Sequence, residues 1–156
     1  MGLKIDYIKR LVMTASPSDR VGGVIPGIGT AAPYAINDAF GTIGELKVPE
    51  KGTIATVIFI DLDDEGLRKD VFLSVAPFSP TADNSAIALS DADLRNTAGV
   101  VSIDTFYDLL DNQVGIATPA LWYHAPKRTL YYQVVTRGVD NIAAGSLPEL
   151  WFEITQ

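Results

Sequence analysis

The sequence predicts an all-β fold: a single-domain β-sandwich of jelly-roll-like type, with an extended N-terminal arm and one or two short helical turns. Three observations carry this. Strand-length runs rich in Val, Ile, Thr, Phe and Tyr recur along the chain. Gly, Pro, Asn and Asp punctuate them at short intervals. Several runs alternate with period two, most cleanly at 129–136 and 149–155. Residues 1–33 read as the arm and a Gly/Pro-rich loop, and 34–156 as the sandwich.

Taken in order, 4–14 fits either a strand or a helix. Ile5, Tyr7, Leu11 and Met13 share one side of a strand, whereas Ile5, Ile8 and Val12 share a helix face; an extended arm is expected. The next stretch, 15–33, is full of Gly, Pro, Ser and Thr, which oppose regular structure. It also holds Val21, Val24, Ile25 and Ile28, which a disordered linker usually lacks. That combination suggests a segment that orders by lying on something. Residues 34–48 read as two short strands broken at Gly41 and Gly44, with a turn at Asn37-Asp38.

The central stretch, 52–76, reads as a hairpin at the middle of the core. Its first arm, 53–62, is apolar on both faces, as in a strand sandwiched between two layers. Its second, 70–75, is also strand-like. Between them Asp61, Asp63, Asp64, Glu65, Gly66, Arg68 and Lys69 form a turn expected to be too charged for burial. Ser90 to Asp93 has the form of a capping box for a short helix over 91–96, and Gly99 lies just past its end. Strands are expected at 99–103, 113–118, 129–136 and 149–155, with 106–112 either a helical turn or a strand edge.

Composition narrows function more than any motif does. The chain has 156 residues, 47% hydrophobic and 20% charged, with formal net charge −7. So apolar a balance suggests surface hidden in an assembly. Twelve Lys and Arg against nineteen Asp and Glu argue against a nucleic-acid partner, which needs clustered cations. No run approaches the roughly 18 apolar residues of a membrane span, no targeting segment is evident, and no membrane partner is expected. Cysteine is absent, which excludes disulfides and thiolate metal sites.

Catalytic patterns fail one by one. Asp61, Asp63, Glu65 and Gly66 match the first half of a calcium loop, but Phe72 stands where its bidentate acid belongs. The turn therefore reads as a solvated tip. Gly27-Ile28-Gly29 lacks the further residues of a phosphate loop. His124 is the only histidine, and no serine has a nucleophile-elbow context. The nineteen acids contain no pair marked as buried and opposed. No enzymatic activity, cofactor or metal is expected. Trp151 alternates onto the face of Glu149 and Glu153, which makes it an interface candidate.

Four stretches carry a family resemblance: 34–41 (YAINDAFG), 81–84 (TADN) with 88–94 (ALSDADL), 99–101 (GVV), and 130–138 (LYYQVVTRG) with the final strand. In these the chain resembles tailed-bacteriophage virion structural proteins encoded near the major capsid protein, of the head decoration or cement type. The resemblance implies a protein assembled in the host cytoplasm that coats the outer capsid surface and stabilises the head. Its implied partner is the major capsid protein, and self-association as a homotrimer is the expected way to multiply weak contacts. Contacts are expected from Ile5, Tyr7, Ile8, Arg10 and Leu11 of the arm and from Val24, Ile25 and Ile28 of the loop. Trp122 and Trp151 complete the expected interface. The alternative is a carbohydrate-binding or tail-associated adhesion module using the same aromatics.

Overall fold

A computed structural model describes residues 20–29 and 32–156; the arm positions Ile5, Tyr7, Ile8, Arg10 and Leu11 lie outside them. The fold is an all-β sandwich of two antiparallel sheets. One contains β1 (Arg20–Val24), β10 (Glu149–Thr155), β3 (Lys51–Asp61), β7 (Gln113–Ala117) and β6 (Phe106–Asp108), in that order. Along its edge shared with β7, β3 also pairs β8 (Leu121–His124). The other sheet has the order β2 (Ala39–Lys47), β9 (Thr129–Thr136), β4 (Lys69–Ser74) and β5 (Thr97–Ile103). Helix α1 (Asp91–Leu94) carries the expected capping box, with Ser90 accepting from the Asp93 backbone and Asp93 accepting from Ser90.

The central pair of strands is not a hairpin. β3 lies in the six-stranded sheet between β10 and the β7/β8 edge, while β4 lies in the other sheet between β9 and β5. The Leu62–Arg68 connection is therefore a crossover between layers. Asp61 dictates its path: the residue is 2% exposed, and its carboxylate accepts from the backbone of Asp63, Glu65 and Gly66 at 2.9–3.0 Å. A buried acid with three such donors curls the chain away from its own sheet. Lys69 is likewise fully buried, so neither end of the charged turn is solvated.

Two further local expectations change. Within the segment expected to be irregular, Arg20–Val24 forms β1, because β10 offers an open edge on which Val21 pairs Phe152. Residues 39–47 form one strand rather than two, with an irregularity between Phe40 and Gly44. Gly44 is needed there because a Cβ would stand 2.2 Å from the Tyr132 ring. Gly41, at φ +80°, passes under the Pro26 carbonyl as the chain crosses from β1 to β2.

The core lies between the sheets. An aromatic row runs from Tyr34 through Phe40 and Phe59 to Phe106, with ring centroids 4.8, 6.1 and 6.2 Å apart. Asp83 fastens the β1–β2 connection over it, accepting from Gly29 N, Gly41 N and the Tyr34 hydroxyl at 2.7–2.8 Å. Two of the stretches that carry the resemblance, 34–41 and 81–84, thus meet in a fold-building clamp.

Candidate functional site

The two outer faces of the sandwich differ. Over the four-stranded sheet the Val75–Asn96 connection folds back: Phe78 stacks edge-on against Phe72 at 5.1 Å. Gln133, fully buried, bonds the backbone of Thr81 and Gly41. Over the six-stranded sheet, among the described residues, no strand or helix stacks on the outer face.

Strand register fixes what that bare face displays. Gly22, Trp151, Ile58 and Ile116 lie side by side across β1, β10, β3 and β7. The adjacent row runs Val24, Glu149, Ile60, Val114 and Tyr107. Toward the far end of β3, Trp122 pairs Thr53 on the same side and is 62% exposed. Val24, Ile116 and Tyr107 are exposed, while Ile58 and Ile60 are half-buried. The face is an apolar stripe with a charged border, in which Arg20 lies 5.5 Å over the Trp151 ring and the indole N–H donates to Glu149 at 2.7 Å.

The sequence-selected residues separate on this frame. Val24, Trp122 and Trp151 lie on the bare face. Ile25 does not: it is 1% exposed and belongs to the core, its N–H held by the Pro148 carbonyl at 3.1 Å. Ile28 is partly buried and packs on the same core, so it is also withdrawn from the contact set. Ile58, Ile60, Val114, Ile116 and Tyr107 were not selected. The two-sided apolar pattern of 53–62 carries the signal for the first two, although it predicts a layer on each side.

Polar groups inside the sandwich form a separate cluster where the β3–β4 and β9–β10 crossovers meet. Lys69, entering β4, and Asp140, in the 137–148 connection from β9 to β10, pair at 2.7 Å. Lys69 also donates to the Leu67 carbonyl at 2.7 Å, and the Thr136 hydroxyl donates to Asp140 Oδ2. Asp63 joins the same crossovers by accepting from Ala143 N at 2.6 Å. Burial raises the Glu65 carboxyl above its usual range; the Asn141 backbone opposes this, and Asp140, Asp63 and Asp61 reinforce it. Among the described residues no group of three or more Asp, Glu or His side chains is placed to hold a metal.

His124 stands on the surface, 3.3 Å from Glu50 and beside Trp122. A shallow concavity of about 650 Å³ between the β2–β3 turn and the C-terminus brings Glu50, Lys51 and Arg128 together, without a nucleophile. Comparison with known protein families, characterised proteins and solved structures finds no match for the chain.

Proposed function

We propose that the chain is a virion structural protein of a tailed phage, a decoration or cement protein that binds the outer surface of the major capsid protein lattice and stabilises the head. The observation that carries this reading is the bare apolar face of the six-stranded sheet. Its central strand has the composition of a strand covered on both sides, yet only one side is covered by the described residues. Each large apolar side chain on that face gains about 1.5–3 kcal/mol on full burial, so a few suffice to repay the cost of docking. Contacts too weak to hold one copy become strong when a trimer presents three. The net charge of −7 suits the outside of a shell better than its DNA-filled interior.

The segment before Arg20 deepens the contact. β1 is the edge of the contact sheet, and Ile5, Tyr7, Ile8 and Leu11 precede it in the chain.

Co-sedimentation with empty heads assembled from the partner capsid protein tests the reading. Saturable binding that survives high salt is expected, because apolar contacts are not screened as ion pairs are. Absence of binding at both salt concentrations overturns it. The exposed Trp122 beside His124 favours a second reading, an adhesion module, in which glycan binding is lost in Trp122→Ala.

A further inference from the structure

Lys69 and Asp140 face each other in the interior with little room to do anything else. Nζ lies 2.7 Å from Oδ1, and each side chain is 1% exposed. The Phe40 and Phe59 rings stand 5.0 and 5.3 Å from the same nitrogen. The negative charges of Asp61, at the end of β3, and Glu65, in the Leu62–Arg68 connection, act on the ammonium, and the Thr136 hydroxyl at the end of β9 donates to the carboxyl. An ion pair so buried gains little over an apolar pair of the same volume. The same burial, however, favours the free amine of Lys69, a nucleophile held against the Asp140 carboxyl.

We propose that Lys69 and Asp140 condense into an intramolecular isopeptide bond that ties the β3–β4 and β9–β10 crossovers together. The reaction begins when the ammonium passes a proton to the carboxylate, leaving amine and acid. The Lys69 Nζ lone pair then attacks Asp140 Cγ and forms a C–N bond. The Thr136 hydroxyl, already donating to Oδ2, stabilises the negative charge that develops on that oxygen. The Cγ–Oδ1 bond breaks, and Oδ1 leaves as water with the transferred proton and one proton from nitrogen. One amide and one water form from one amine and one acid, and nothing is oxidised or reduced. Burial lowers the proton affinity of Lys69, against the pull of Asp140, Asp61 and Glu65, and so supports the amine form.

The bond requires no capsid, and its test is independent of the decoration function. The purified full chain is incubated at neutral pH, denatured and weighed by intact mass spectrometry, then mapped after proteolysis. The expected mass is one water below that of the linear sequence. The expected map holds a branched peptide joining the Lys69 and Asp140 segments, with the corresponding linear peptides missing. Lys69→Arg and Asp140→Ala should both give the linear mass. The wild-type chain alone decides if these variants do not fold. A wild-type mass equal to the linear sequence overturns the proposal, as does a lost water without the branched peptide, the signature of an aspartyl imide.

Discussion

Tyr123 carries a buried hydroxyl with no hydrogen-bond partner among the described residues, and burial pushes its pKa up to about 12. An orphaned hydroxyl keeps its desolvation cost without compensation. Tyr123→Phe should therefore leave stability unchanged or raise it by up to about 1 kcal/mol, read from urea midpoints. Asp70 is the opposite case. Burial disfavours its charge, but Ser102, Arg137 and Arg68 together outweigh that and hold its carboxyl below the usual range. A carboxyl with a lowered folded-state pKa stabilises above its unfolded value and loses that contribution as pH falls through the folded one. Asp70→Asn should cost about 1–3 kcal/mol at pH 7 and make stability less steep in acid. Which charges enter the interior was not legible in the sequence. Lys69 and Asp61 look like surface residues by type, and Asp140, the partner that makes burial of Lys69 tolerable, stands 71 positions away.

At the scale of elements, what was legible was what is local. The capping box of α1 spans Ser90 to Asp93, and β9 and β10 announce themselves by alternation within their own length. Pairing is not local, and there sequence reasoning failed. The apolar arms of 52–76 suggest a hairpin because they are adjacent, but each pairs with strands distant in sequence: β3 with β10, and β4 with β9. β1 was missed because RVGGV has little strand propensity of its own and exists by lying on the open edge of β10. Gly44 gives the element-scale prediction. Its hydrogen is the surface on which the Tyr132 ring rests, so Gly44→Ala should destabilise by about 1–3 kcal/mol through overpacking, measured as a lowered Tm.

The whole molecule joins a closed end to an open face. At one end the β3–β4 and β9–β10 crossovers converge on Lys69, Asp140, Asp63 and Ala143. An amide closing the 71-residue separation there would stabilise the fold by about 4 kcal/mol on the chain-entropy model. Such a lock resists separation of the two sheets. The bare face of the six-stranded sheet performs the proposed docking, and it can be altered without touching the core. Trp122→Ala and Ile116→Lys change exposed side chains and should move stability by no more than about 0.5 kcal/mol. Capsid occupancy of Ile116→Lys against wild type, each first shown to melt at the same temperature, tests the docking face most directly. Occupancy should fall at least tenfold, because a lysine in the middle of the stripe must be desolvated on contact. Occupancy equal to wild type would contradict the assignment of this face to the capsid lattice.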